Sequence, residues 1–255
     1  MRLPLTISAL CILLAITAGC TFSGRKASSP DLPPVQQEEM PENYTGTWTS
    51  RYPDGKIESV KEMKNGEVSG AVTEYYDNGK VREKYTRLDG KLQGQYLRYF
   101  PSGDLESSAT YKDGLLEGLL TQYYDSGNLV RSTQNYVAGK RSGIFTIFYK
   151  DGMIRSHFTY RDDKLEGKMT GYYPDGQLME LIYFFKDGSS GPVEFYYPNG
   201  QLSEKYYLDK SLTDGDYISY YPDGKVRRKG KYSKGAMIGK WSSYDKEGNE
   251  SVVFY

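Results

Sequence analysis

A glycine returns at a fixed interval along almost the whole chain, and no other feature limits the fold as much. Gly55, Gly79, Gly103, Gly127, Gly152, Gly176, Gly200, Gly224 and Gly248 follow one another at 24 residues, with a single step of 25. A second series runs eleven or twelve residues behind: Gly66, Gly90, Gly114, Gly139, then Asp163, Gly188, Ser211 and Gly235. A third is Gly46, Gly70, Gly94, Gly118, Gly143, Gly167, Gly191, Gly215 and Gly239. Three series in constant register mean a repeat architecture, in which each unit buries its apolar surface against its neighbours.

The unit is a β-hairpin. Paired aromatics precede each glycine of the first series: Tyr75-Tyr76, Tyr99-Phe100, Tyr123-Tyr124, Phe148-Tyr149, Tyr172-Tyr173, Tyr196-Tyr197 and Tyr220-Tyr221. Turns such as Pro53-Asp54-Gly55, Asp77-Asn78-Gly79 and Pro174-Asp175-Gly176 follow them. Pro presets φ, Asp or Asn tolerates the next position, and Gly takes the left-handed one, so a three-residue loop with a glycine bulge is predicted. Two residues beyond each glycine stands an aliphatic side chain: Ile57, Val81, Leu105, Leu129, Ile154, Leu178, Leu202 and Val226. An aromatic usually closes this second strand, as at Tyr111, Tyr136, Tyr160, Phe185 and Tyr232. No segment carries a sustained helical period. The predicted class is all-β: an elongated antiparallel β-meander of about nine 24-residue hairpin repeats in a single twisted sheet. Some eighteen strands at ~4.8 Å would extend about 85 Å.

Composition narrows function. Of 255 residues 26 are Tyr and 28 Gly, which suits strands and tight turns and does not suit disorder. Lys and Arg number 33, as do Asp and Glu, so the basic excess that neutralises nucleic-acid phosphates is missing. His157 is the single histidine, with no second His for a zinc site, and the two cysteines, Cys11 and Cys20, both fall in the N-terminal segment that reads as an address, which leaves it no Cys partner for nucleophilic catalysis. Carboxylates abound, but many belong to Asp-Gly turns, and no catalytic pair stands out. The chain is read as non-enzymatic, without metal or cofactor.

The N-terminus reads as an address. Met1-Arg2 precedes an apolar run from Ile7 to Ala18, too short to span a bilayer and suited to a signal peptide. Ile16-Thr17-Ala18-Gly19-Cys20 resembles the lipobox of bacterial lipoproteins, with Thr17 where Leu is usual. That resemblance implies a signal peptide over 1–20, lipidation of Cys20, and a lipid anchor in the cell envelope. Thr21 after the cysteine favours an outer membrane where the host has one. Residues 21–45, rich in Ser, Pro and Gln, form the predicted flexible tether, and 46–255 the repeat domain.

The pattern Tyr-Tyr-x-x-Gly-x-(Leu/Val)…Tyr-x-x-Gly-x-(Leu/Met)-x-Gly, from Gly46 to Tyr255, resembles the MORN-repeat variant of bacterial proteins often labelled YwqK-family antitoxins. The resemblance implies an elongated β-meander that acts as a scaffold or as a protein- or lipid-contacting surface; the antitoxin label implies neutralising a toxin. Asp163 and Ser211 depart from it by losing Gly, and Arg51 and Asp245 by losing a paired aromatic.

Neighbouring residues of a strand face opposite ways, so Tyr75 shares a face with Val81 and opposes Tyr76. One face then carries a ladder of Tyr75, Tyr99, Tyr123, Phe148, Tyr172, Tyr196, Tyr220 and Tyr244, the candidate binding surface. The other carries Trp48, Val72, Tyr96, Leu120, Phe145, Met169, Val193, Tyr217 and Trp241. The predicted function is a membrane-anchored binding or scaffold lipoprotein showing a Tyr-rich surface to a protein partner. Alternatives are a toxin-neutralising antitoxin or immunity protein, and binding of cell-wall glycan or lipid headgroups by the ladder. The apolar last strand, Ser251 to Tyr255, is expected to be covered, with an end-to-end homodimer as one means.

Overall fold

The computed structural model describes residues 39–186, 190–209 and 212–255. Cys20, the signal segment, most of the tether, Gly188 and Ser211 lie outside the described residues. The described residues fall within the unit Val35–Tyr255 and form one antiparallel sheet of 21 strands. They begin with β1 (Gly46–Arg51), β2 (Ile57–Lys64), β3 (Glu67–Tyr75), β4 (Val81–Leu88), β5 (Lys91–Leu92), β6 (Gly94–Tyr99) and β7 (Leu105–Lys112). Next come β8 (Leu115–Leu116), β9 (Gly118–Tyr123), β10 (Val130–Val137), β11 (Lys140–Phe148), β12 (Ile154–Arg161), β13 (Lys164–Leu165) and β14 (Gly167–Tyr172). The last are β15 (Leu178–Phe184), β16 (Ser190–Tyr196), β17 (Leu202–Asp209), β18 (Leu212–Tyr220), β19 (Val226–Ser233), β20 (Ala236–Tyr244) and β21 (Glu250–Phe254). The two-residue β5, β8 and β13 are the leading ends of β6, β9 and β14, each interrupted for one residue. Eighteen full strands, or nine hairpins, therefore pair in chain order, as the sequence predicts.

The turn chemistry decides where each hairpin closes. In the first loop the Gly55 amide donates to the Tyr52 carbonyl and the Tyr52 amide to the Lys56 carbonyl, both at 2.8 Å, with Gly55 at φ 85°. The three-residue loop with its glycine bulge is present as predicted. Beyond it the register slips by one, so that Glu74 faces Glu83 but Tyr75 faces Val81. The hairpin at residue 124 departs. Its amide reaches the Leu129 carbonyl, and Asn128 takes φ 55° as an inserted fourth loop residue. That insertion is the 25-residue step. It moves Val130 opposite Tyr123 and leaves Leu129 in the loop, 42% exposed. The aliphatic place assigned to Leu129 belongs to Val130.

Among the described residues the opposite connections are two-residue turns with both central residues at positive φ, such as Asn65-Gly66 and Asp113-Gly114, the geometry that right-handed strand twist favours. Asp162-Asp163 adopts it without glycine, Asp163 at φ 66°. The Asp163 carboxylate accepts from the backbone amide and from Nε of Arg141 in the neighbouring repeat, at 3.1 and 3.0 Å. A strained backbone position is thus tied down from the side.

Repeats are fastened to each other along both turn edges. At one edge the second Tyr of each pair donates its hydroxyl to the carbonyl of the first aromatic one repeat on. Tyr52 reaches Tyr75, Tyr76 reaches Tyr99, Tyr124 reaches Phe148 and Tyr149 reaches Tyr172. Tyr173, Tyr197 and Tyr221 continue to Tyr196, Tyr220 and Tyr244, and all seven bonds measure 2.6–2.9 Å. Phe100, which has no hydroxyl, leaves the one gap. Along the other edge, turn amides of one repeat donate to the preceding repeat: Gly66 to the Tyr44 carbonyl, Gly114 to Leu92, Gly139 to Leu116 and Gly235 to Thr213.

Burial is one-sided. Among the described residues, every buried side chain except Thr170, Leu181 and Ser242 lies on the face of Trp48, Val72 and Tyr96. Val193 is 0%, Val72 and Trp241 1%, and Phe158 3% exposed in a single layer. Such burial without a covering element requires tall side chains to lean across the row, and the aromatic contacts show them doing so. Tyr85 stacks on Tyr96 at 5.6 Å, Phe145 meets Phe158 edge-on at 4.9 Å, and Tyr232 meets Trp241 edge-on at 5.0 Å. Trp241 also occupies the space above Gly230, where a Cβ would sit 2.2 Å from the indole.

The last strand is not covered. β21 pairs with β20 on one side only, and Val252, Val253, Phe254 and Tyr255 are 41–75% exposed. No described element lies against its outer edge, so the expected cover is not supplied within the chain. β1, by contrast, has Tyr44 packed edge-on to Trp48 at 5.5 Å, its hydroxyl donating to the Thr47 carbonyl.

Candidate interaction surface

With one face filled by its own aromatics, the other is left to meet solvent, and the pairing registers define what it presents. The bulge beside each three-residue loop puts Tyr75 opposite Val81, Tyr99 opposite Leu105, Phe148 opposite Ile154 and Tyr172 opposite Leu178. Tyr196 likewise faces Leu202, Tyr220 faces Val226 and Tyr244 faces Glu250. The eight predicted ladder residues therefore share one face, and all are half-buried. Successive rings stand two strands apart, about 9.6 Å by strand spacing. At that distance they do not stack on each other. Tyr172 lies 5.8 Å from the His157 ring, and the Lys229 ammonium stands 5.5 Å over Tyr244. The rings that do stack in series belong to the buried face, so cross-strand aromatic packing holds the repeats together there and not in the ladder.

The ladder is held still from behind. The carbonyl that receives each inter-repeat tyrosine hydroxyl is that of a ladder residue: Tyr75, Tyr99, Phe148, Tyr172, Tyr196, Tyr220 or Tyr244. Burial raises the pKa of Tyr52, Tyr76 and Tyr173, which keeps these donors protonated across neutral pH. Backbone positions and ring spacing are thus fixed by the same bonds.

One row inward on the open face, six residues lie directly opposite one another across consecutive strands. Ser108 pairs with Thr121, Thr121 with Thr133, Thr133 with Thr146, Thr146 with His157, and His157 with Thr170. The His157 Nε2 lies 2.9 Å from the Thr170 hydroxyl. A third row, Thr110, Leu119, Asn135, Ile144, Thr159 and Lys168, follows, with Leu119 and Ile144 49% and 57% exposed; beyond it, at the turn edge, the same face carries Lys112 and Arg161, the latter paired with Glu166 at 2.7 Å. Among the rings, hydroxyls and third row over these strands, Lys168 alone carries a Lys, Arg, Asp or Glu side chain, in a chain that is 26% charged. The bulge residues supply charge to the opposite side, where Glu106 pairs with Arg98 at 3.0 Å.

From β16 onward the open face is ionic. Lys205 pairs with Glu194 at 2.9 Å, and its hydrogen bond, then that of Tyr196, holds the Glu194 carboxyl below its usual range. Burial and Glu194 together push Tyr196 up to about 12. Farther on, Asp216, Lys229, Lys231 and Lys240 border an open depression with Ile218 and Ile238.

The sequence located the ladder but not the hydroxyl row. Its signal was available two residues before each ladder aromatic, where Thr121, Thr146 and Thr170 recur. The partner residues Ser108, Thr133 and His157 have no common type, and only the register aligns them. Among the described residues no group of three or more His, Cys, Asp or Glu is placed to hold a metal.

The family model for the MORN repeat variant matches seven segments: 44–65, 69–89, 92–113, 116–137, 165–187, 190–210 and 213–234. It passes over 138–164, which contains the glycine-free turn at Asp162-Asp163, although β11 and β12 continue the meander there. No curated protein matches the chain. Among solved structures, a point mutant of S. aureus TarM in complex with Fondaparinux, alpha-GlcNAc-glycerol and UDP is 11% identical with a TM-score of 0.29, over 43% of this chain and 21% of that one. The GtfA/B complex bound to UDP and GlcNAc is 13% identical with a TM-score of 0.21, over 44% and 22%. The TcdB2-TccC3-Cdc42 structure is 12% identical with a TM-score of 0.21, over 77% and 13%. This chain thus spans about a fifth or less of the length of these solved chains.

Proposed function

The chain belongs to the MORN repeat variant family, and from that premise we propose that it is a non-enzymatic, envelope-tethered binding scaffold whose open sheet face receives a macromolecular partner. One observation carries the reading: the two faces are unequal, one filled by its own stacked aromatics and the other presenting evenly spaced, half-exposed rings on a pinned backbone. Tyrosine suits such a surface because a rigid amphipathic ring gives contact area at low entropy cost. Rigid spacing lowers the ordering cost of binding along several repeats.

The tether in this reading rests on the lipobox-like Ile16-Thr17-Ala18-Gly19-Cys20. An acyl chain on Cys20 and a polar linker place the repeat surface at the membrane without a spanning segment. The test is fractionation together with crosslinking from native envelope. The wild-type chain partitions with membranes and gives discrete adducts from a photoreactive residue at Thr146, whereas Cys20→Ser releases it to the soluble fraction. Membrane partition unchanged by Cys20→Ser ends the lipid-anchor reading, and absence of any adduct ends the scaffold reading.

A further inference from the structure

The three inner rows of the open face between β7 and β14, in which Lys168 is the one charged side chain, have a surface chemistry that selects among partner classes. We infer that it is a binding site for an extended, neutral β-1,4-linked polysaccharide lying across the strands. The inference rests on the scaffold reading and names the partner class for the same face. Sugar rings present two kinds of surface at once: flat C–H faces that stack on aromatic rings, and equatorial hydroxyls that exchange hydrogen bonds. Tyr123, Phe148 and Tyr172 supply the first and the row from Ser108 to His157 the second, side by side on one face, while Thr170, 3% exposed, backs His157 from within.

Spacing agrees with this occupant. Rings two strands apart stand about 9.6 Å from one another, close to the length of one disaccharide in an extended β-1,4 chain, so equivalent sugar faces meet successive rings. The near absence of ionised side chains across the patch matches a neutral polymer, since nucleic acids and acidic polymers require cations and a charged protein surface requires its complement. Sheet twist limits the site. Adjacent strands rotate by roughly 20–25°, so successive rings turn by about 40–50° and a straight chain keeps register with about two of them, a third standing about 80–100° from the first. The stretch holds Tyr123, Phe148 and Tyr172, with Tyr99 continuing it on β6, and from β16 onward Glu194, Lys205 and Lys229 interrupt the row. An α-linked, coiled glycan has no matching repeat.

The experiment uses the full chain in detergent, titrated with chitohexaose and cellohexaose as extended probes and maltohexaose as the coiled one, followed by calorimetry. Saturable binding of at least one extended probe, none of maltohexaose, and about tenfold weaker binding for Tyr123→Ala or Tyr172→Ala is expected. Tyr172→Phe keeps the ring and stays within about twofold. Thr146→Lys places a charge in the hydroxyl row without removing a ring and abolishes binding, while Tyr220→Ala, in the charged region, leaves it unchanged. Circular dichroism of each variant separates lost binding from lost fold. The proposal is overturned by no saturable binding of either extended probe, by preference for maltohexaose, or by equal losses in Tyr172→Ala and Tyr220→Ala. Photo-adducts from Thr146 to protein alone, with no glycan bound, overturn it too while leaving the scaffold reading standing.

Discussion

Removing the Tyr173 hydroxyl tests how the repeats are joined. That hydroxyl donates to the Tyr196 carbonyl at 2.7 Å across the boundary between two repeats, in a part-buried site. Tyr173→Phe keeps the ring and deletes one neutral hydrogen bond, worth about 1 kcal/mol net, with the carbonyl left short of a partner. Because repeat arrays are stabilised by nearest-neighbour terms, the loss is confined to that boundary. Urea unfolding gives the total, and amide exchange locates it, with faster exchange in β15 and β16 and little change in β2 or β3. Phe100 offers the reverse experiment, since it interrupts the series of seven hydroxyl–carbonyl bonds. Phe100→Tyr supplies the missing donor toward the Tyr123 carbonyl and gains up to about 1 kcal/mol. Changing Tyr149, Tyr173, Tyr197 and Tyr221 together to Phe costs about 4 kcal/mol if the boundaries are independent. A change below about 0.3 kcal/mol for Tyr173→Phe, with Phe100→Tyr destabilising, refutes the reasoning.

Gly230→Ala forces a methyl into the Trp241 indole and costs about 2–3 kcal/mol by thermal melting; combining it with Trp241→Ala relieves the clash, and an additive pair of losses contradicts the packing. Burial raises the Glu180 pKa, with Arg155 opposing. The folded chain holds this proton more tightly than the unfolded one, so the carboxyl costs nothing below its unfolded pKa and destabilises progressively as pH rises through its folded value. Glu180→Gln therefore stabilises at neutral pH and flattens that dependence; equal shifts at pH 4 and pH 8 would falsify the assignment. Glu74 behaves oppositely, because hydrogen bonds from Arg82 and Tyr85 overcome its burial and leave its pKa lowered. Its contribution is complete above the unfolded value and lost as pH falls through the folded one, so Glu74→Gln destabilises at neutral pH and is close to neutral in acid. The open edge of β21 predicts self-association through the apolar Val252–Phe254 segment; light scattering should show a concentration-dependent dimer that Val252→Lys removes, and a monomer at all concentrations excludes it.

Much of the fold was legible in the sequence because the repeat states each instruction nine times. The turn glycines, the paired aromatics and the bulge that brings Tyr75 across from Val81 all follow from local backbone chemistry. Leu129 was misplaced because an insertion inside a loop is invisible to a count of two residues from a glycine, while the structure shows Asn128 absorbing it in the left-handed region. The role of the second Tyr in each pair was not readable either, since a hydroxyl reaching 23 or 24 residues onward depends on how closely repeats stack. For the surface, alternation gave the ladder from single strands. The hydroxyl row runs perpendicular to the strands, and its members become neighbours only once registers across several strands are known. Asp163 shows a third limit: the sequence marks only the loss of glycine, while Arg141 from the adjoining repeat holds the turn by a contact that no local pattern encodes.

The claim that one face is sealed by its own packing and the other is open is tested most directly by placing a photoreactive side chain at Thr146, on the open face, and at Gln122, on the filled one, in separate full-length chains in native envelope. The account predicts adducts from Thr146 and none from Gln122. Adducts from Gln122 with silence at Thr146 would mean that the partner lies against the aromatic row, and the assignment of the two faces would be reversed.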